Sequence, residues 1–390
     1  VGVNHNVLGL VSELKNRCIR LIQILNSNNT FEDVNELREE AVERLKHTYA
    51  GLQDLERDQL LQHSKMQAQA ISAYQELFQQ VVLVEEILVP VLITYDNHDH
   101  RGFLWLHKFA SETLFPTYGI PSITAKSDHY YWTYPDLGIV GMPIGDIEGI
   151  LGWPDLVHEL GHVLLAIRPN FVDEFIPLVK QHFQSERDLI LDLGGHPQSN
   201  RWINIAQLKW GGRRDGTWRE EIACDLIATY LVGPAYGWQH LRLVTNRDND
   251  PYFPLPTSVN HTMSHPADQA RFEAILGILL ALKRFEDIKR LETAWKQMLE
   301  ARYYGKRPQG FDVYYPRTLI TQLANIVHQQ CQHIGLIPFT EQQSQNELDI
   351  VSLIDHAWNV FRKTPSQYGQ WEKTIVQRFW VNLEPAKSVQ

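Results

Sequence analysis

The segment His158-Glu159-Leu160-Gly161-His162 places two imidazoles and a carboxylate at a spacing that suits hydrolysis by a metal-activated water. On an α-helix, residues i and i+4 lie on one face, so His158 and His162 can hold one Zn²⁺ while Glu159 projects beside the metal's open position as a general base. The flanks predict that helix. Pro154 suits a first helical position and Asp155 the positively polarised first turn, Leu156, Val157, Leu160, Val163, Leu164 and Leu165 supply apolar surface, and Arg168-Pro169 marks the stop.

Two imidazoles leave a zinc shell incomplete. A second helical pattern, Trp218 to Leu231, is closed by Gly233-Pro234 and carries Glu221 and Asp225, again at i and i+4. Glu221 would complete a His₂Glu site with the fourth position left for water, and Asp225 would accept the second ring N–H of His158 and fix its tautomer. An acidic pair on a helix is ordinarily a solvated face. Here Ile222, Ala223, Leu226, Ile227, Tyr230 and Leu231 leave little face for water, so these acids are expected to point inward. Gly161 costs about 1 kcal/mol relative to alanine inside a helix, and close approach of the Glu221 helix would account for it.

HELGH followed by Glu221-x-x-x-Asp225 resembles the gluzincin zinc metallopeptidases, the group that includes thermolysin. The long interval between His162 and Glu221 is similar to the branch containing the CAAX prenyl proteases and their soluble relatives. Ser264-His265-Pro266-Ala267-Asp268-Gln269-Ala270-Arg271 resembles the His-Pro…Arg element that follows the third ligand in that branch, where the His and Arg lie over the cleft. The resemblance covers residues 130–280. It implies a zincin-like core with one Zn²⁺ on His158, His162 and Glu221, and a peptide or protein as substrate. In gluzincins a strand ahead of the metal helix pairs with the substrate backbone; Leu137 to Ile144 is the strand candidate here, which would give Ile139, Val140 and Gly141 that role. Membrane-spanning helices of the integral-membrane members are absent, and Gly141-Met142-Pro143 breaks the Gly-x-Met-Glu-Asn signature of the aminopeptidases.

The chemistry expected is amide hydrolysis, with Glu159 moving the proton and His265 stabilising the oxyanion. His265 could equally be a packed histidine with no part in turnover. Tyr236 is a second oxyanion candidate, and Arg271 would either clamp a substrate carboxylate or carbonyl or brace the site by pairing with Asp225 or Glu220. Two other functions fit the same residues. One is a helical scaffold or interaction protein that keeps the metal without turnover, which Glu159 argues against; the other is hydrolysis of a non-peptide amide.

The elements that must position these residues are mainly helical, an α+β arrangement with a small sheet in the core. Three regions are expected: an N-terminal helical hairpin over 1–95, the metallopeptidase core over 96–305, and a C-terminal helical region over 306–390. Val7, Val11, Leu14, Cys18, Leu21 and Leu25 recur at steps of four and three, and Val34, Leu37, Ala41, Leu45, Tyr49, Leu52 and Leu55 continue the rhythm. Such stripes serve a packed layer or, alternatively, a helical partner or self-association through residues 5–95. Asn97-His98-Asp99-His100-Arg101 reads as a polar turn, and 102–150 as irregular apart from the strand. Beyond Ala267, helices are expected over 267–304, 317–336, 347–363 and 369–382.

Composition narrows the partners. The 390 residues are 44% hydrophobic and 21% charged, as in an ordinary globular protein. With 36 basic against 46 acidic side chains, the net charge of −10 disfavours nucleic acid. Cys18, Cys224 and Cys331 form no CxxC pair and read as reduced thiols. Reduced thiols make the expected setting cytoplasmic, and Val1-Gly2-Val3-Asn4 lacks the basic-then-apolar pattern of a signal peptide. The most apolar stretch, Val81 to Tyr95, includes Glu85, Glu86 and Pro90 and reads as too short and too charged to span a bilayer.

Overall fold

The computed structural model describes residues 3–27, 32–57, 67–116, 123–127, 130–192, 197–211, 217–247, 250–253, 265–302, 306–341 and 346–384. The paired glycines Gly194-Gly195, which read as a turn in the sequence, the segment 212–216 of the second such turn, and the stretch 254–264 lie outside them. The chain divides into two compact units: Val1–Phe103 with Ser122–Lys126, and Leu104–Pro121 with Ser127–Gln390.

In the first unit, α1 (Val3–Ser27), α2 (Asn35–Arg57) and α3 (Gln67–Leu83) pack on one another, within the two or three long helices that residues 5–95 suggest. The stripe Val7, Val11, Leu14, Cys18, Leu21, Leu25 is buried, as are Val34, Leu37, Ala41, Leu45, Leu52 and Leu55. Tyr49 departs from the pattern. Thr48 takes the buried place beside it, and the Tyr49 ring lies half-buried under the Lys15 ammonium. A π-helical turn, Val84–Leu88, joins α3 to α4 (Val89–Thr94), with the N–H of Val89 reaching back to the carbonyl of Val84 just ahead of Pro90, which has no N–H to donate.

The apolar stretch is therefore longer as a helix than as a run of hydrophobic residues. Ala68–Thr94 is continuous over 27 residues, long and apolar enough to cross a membrane by length and composition alone. Its faces differ, however. Ala70, Val81, Val84, Leu88 and Val89 are buried, whereas the exposed positions include Gln75, Glu76, Gln79, Gln80 and Glu86, the division expected of a helix packed on one side and solvated on the other.

α5 (Asn97–Thr113) replaces the expected polar turn. Its start is fixed by reciprocal capping: the Asp96 carboxylate accepts from the N–H of His98 and the Asp99 carboxylate accepts from the N–H of Asp96. Trp105, Leu106, Phe109 and Ala110 then face inward.

β1 (Ile123–Ser127) belongs to the first unit up to Lys126; in the second unit β2 (Trp132–Tyr134) and β3 (Ile139–Pro143) precede α6 (Trp153–Ile167), the helix of the HELGH motif. β2 and β3 pair antiparallel with Trp132 opposite Gly141. Gly138, at φ 59°, turns the chain into β3, and a Cβ on Gly141 would fall within the Trp132 indole. Next come α7 (Phe175–Asp192), α8 (Pro197–Gly211), α9 (Trp218–Val232), α10 (Pro234–Asn246), α11 (Asp268–Ala281), α12 (Phe285–Ala301), α13 (Phe311–Tyr314), α14 (Arg317–His333), α15 (Ile350–Lys363) and α16 (Pro365–Leu383). The single helix expected over 267–304 is two, broken where Lys283 adopts φ 58°.

α9 lies at the centre. It packs on α6, α11, α14 and α10, and every residue but Glu220 is buried. Thr217 and Glu220 form a capping box at its start and Gly233, at φ 62°, ends it. The first turn of α6 is held from the far end of the chain. The Trp153 ring lies between Trp105 and Phe379, and the Glu372 carboxylate of α16 accepts from the N–H of Ile150 at 2.9 Å. Cys18, Cys224 and Cys331 are all buried and unpaired.

Candidate metal centre

α6 and α9 approach closely at Gly161. A Cβ there would lie 2.9 Å from Cys224 Cα and 3.1 Å from its Sγ, so only glycine lets the two backbones meet at this distance. Three residues before Cys224, Glu221 faces the histidines of α6. His158 Nε2 lies 3.7 Å from Glu221 Oε2, and His162 Nε2 lies 3.7 Å from Glu221 Oε1. One ligand atom from each of the three lies within 4.8 Å of the others. Among the described residues this is the one such group.

The donor set fits a metal. Ligands about 2.0 to 2.2 Å from a tetrahedral ion stand roughly 3.3 to 3.5 Å apart, close to the observed separations. At 3.7 Å neither contact is a hydrogen bond, and Glu221 Oε2 is buried with no hydrogen-bond partner. An unpaired buried carboxylate oxygen is costly unless a cation meets it.

The titration behaviour of the metal-free site agrees. Burial, then the neighbouring His158, holds the His162 pKa down to about 4, which keeps that imidazole neutral. Burial would raise the Glu221 carboxyl, but the surrounding imidazoles outweigh it and bring it to about 2. Burial would lower His158, but Asp225 and Glu221 outweigh it and raise the ring to about 10. Glu159 is buried and is not one of the three ligands; burial, with Glu221 and Asp155 nearby, raises its pKa to about 7.

Behind His158, Asp225 Oδ1 stands 2.9 Å from its Nδ1, the contact expected of the acid one turn beyond Glu221. Arg271 donates to both Asp225 oxygens, from Nε at 2.8 Å and Nη2 at 2.6 Å. Of the two roles open to Arg271, the structure places it in the brace. Tyr236 is buried on the same side, its hydroxyl donating to Asp225 and lying 3.0 Å from His158 Nδ1, on the ring edge away from Glu221. His265 stands on the open side, its side chain 62% exposed and its Nε2 3.4 Å from Glu221 Oε2. Ile139, Val140 and Gly141 are buried in β3.

Three supporting residues were not anticipated as a group. Asp155, one turn before His158, accepts from the Tyr130 hydroxyl at 3.0 Å and from the Gln239 side-chain amide. The available signal was in α10, where Tyr236, Gln239 and His240 are polar groups on a buried helix.

The site is a pair of histidines and a carboxylate carried on two touching helices, open on one side. Compared with protein-family models, curated proteins and solved structures, the chain matches none.

Proposed function

We propose that this protein is a zinc-dependent peptidase of the gluzincin type, hydrolysing peptide bonds with Glu159 as general base. The observation that carries the reading is the unbonded, buried oxygen of Glu221 set against two imidazoles, with a further buried carboxylate, Glu159, beside them and outside the ligand set. A purely structural metal site has no use for that second acid. His158 and His162 through Nε2, and Glu221 through its carboxylate, would hold the ion. Zinc supplies Lewis acidity there, lowering the pKa of a water it binds to about 7 and polarising a carbonyl.

The remaining work belongs to side chains. Glu159, buried beside the histidines and outside the ligand set, is suited to take the proton of the attacking water and pass it to the leaving nitrogen. One water is consumed, a C–O bond replaces the C–N bond, and the carboxylate is regenerated. His265, exposed beside Glu221, is placed on the side from which a substrate would enter and can donate a ring N–H to the oxygen that gains charge.

The test pairs elemental analysis with cleavage of a mixed peptide library. Wild-type protein is expected to hold one zinc per chain and cleave. Glu159→Gln is expected to keep the zinc and lose roughly a hundred- to ten-thousandfold in rate. Full activity in that variant, or wild-type protein that binds no zinc, would sink the proposal.

A further inference from the structure

The buried edge of His158 faces a three-residue cluster, Asp225, Arg271 and Tyr236, of which Tyr236 has no task in the hydrolytic scheme. We propose that Tyr236 is a positioning residue: its hydroxyl, held by Asp225 and Arg271, keeps the His158 proton on Nδ1 and so leaves Nε2 for the metal. The proposal rests on the metal-binding reading above and deepens it.

The argument is one of donors and acceptors. Both Asp225 oxygens accept from the Arg271 guanidinium, from Nε at 2.8 Å and Nη2 at 2.6 Å, the two-point pairing of a carboxylate, and a carboxylate only accepts. Arg271 only donates. The single proton of the Tyr236 hydroxyl therefore goes to Asp225, and its oxygen accepts from Arg271 Nη2 at 3.2 Å. Nothing is left in the hydroxyl to donate to His158. The 3.0 Å contact between Tyr236 and Nδ1 is then favourable only if Nδ1 carries a hydrogen, shared between the tyrosine oxygen and Asp225 Oδ1 at 2.9 Å.

A histidine that binds a metal does so as the neutral ring; were the tyrosine proton turned toward Nδ1, that ring's hydrogen would sit on Nε2, the atom that faces Glu221, and would have to move before the metal could bind. Water cannot stand in for any partner, since Asp225, Tyr236 and Arg271 are buried. The tyrosine ring also runs parallel to the imidazole, at 6° with centroids 6.0 Å apart, so hydroxyl and ring are constrained together. α10 supports this from one turn further on, where Gln239 holds Asp155 of the same metal helix.

Tyr236→Phe removes one oxygen and keeps the ring. Zinc affinity, measured by competition with a chromogenic chelator, is expected to fall roughly ten- to a hundredfold. In metal-free protein the His158 Nδ1–H, observed in ¹⁵N-edited spectra and assigned by its loss in His158→Gln, is expected to exchange with solvent roughly tenfold faster or more, as an outer-sphere restraint on the ring is removed. Wild-type exchange together with wild-type zinc affinity in a folded Tyr236→Phe would overturn the proposal. Faster exchange in a protein whose wild type binds no zinc would leave the positioning role standing and reject the peptidase reading. Should Tyr236→Phe fail to fold, Arg271→Lys carries the test: it keeps a cation on Asp225 while withdrawing the bond to the tyrosine oxygen. The same two changes are expected there, and their absence overturns the proposal.

Discussion

Glu221 is the residue whose surroundings are hardest to explain without a cation. Its carboxylate is buried, one oxygen has no hydrogen bond, and three imidazoles surround it. His265 differs from the other two in being exposed, and this separates its expected behaviour from theirs. His265→Ala should leave zinc affinity unchanged and lower kcat by roughly a hundred- to a thousandfold, as when an oxyanion donor is removed. Added zinc should not restore it. Zinc loss in that variant, measured by elemental analysis, would make His265 a ligand instead. Asp225→Asn belongs to the opposite class: it should weaken zinc binding by roughly ten- to a hundredfold and lower the melting temperature as well, because it leaves the buried Arg271 guanidinium unpaired. The ligands were legible in the sequence because residue type and helical spacing specify them together. Tyr130, Asp155 and Gln239 were not, since Asp155 and Gln239 are 84 positions apart and no local period links them.

The crossing of α6 and α9 is the element-level feature on which the site depends. Ordinarily alanine in place of a helix-interior glycine stabilises by about 1 kcal/mol. At Gly161 the added methyl would meet the Cys224 backbone, which cannot swing aside as a side-chain tip can. Gly161→Ala should therefore destabilise, by about 1 to 3 kcal/mol as overpacked cores do, and should weaken zinc binding by moving Glu221 away from both histidines. A raised melting temperature with unchanged zinc affinity would show that the helices do not meet as described. Both helices were readable in the sequence, α6 from Pro154 at its start and α9 from its apolar run closed by Gly233-Pro234, although the Thr217–Glu220 capping box that starts α9 was not anticipated. Others were hidden. α5 begins at a capping pair, Asp96 and Asp99, set among histidines that look like a turn, and the break at Lys283 depends on a backbone angle that residue type does not announce.

At the scale of the whole molecule, the three residues of the candidate metal group all belong to the larger unit, and among the described residues the three-helix unit contributes none. Calorimetry should resolve a transition that zinc shifts and one that it does not. At a free zinc concentration a hundred times its dissociation constant, the larger unit should gain about 2.7 kcal/mol, lost again on adding a chelator. Equal shifts of both transitions would mean that the two units unfold as one. The C-terminal helices were expected as a region apart from the core, yet α16 reaches the turn that introduces the metal helix. Glu372 holds the N–H of Ile150 across 222 positions of chain. That span has a meaning in time. At about 5 to 20 residues per second, a ribosome needs roughly ten to forty-five seconds to add the chain between them. During that interval the segment of the HELGH helix is already made, while the turn before it still lacks the Glu372 carboxylate that the N–H of Ile150 meets, so this contact forms only after α16 has been added.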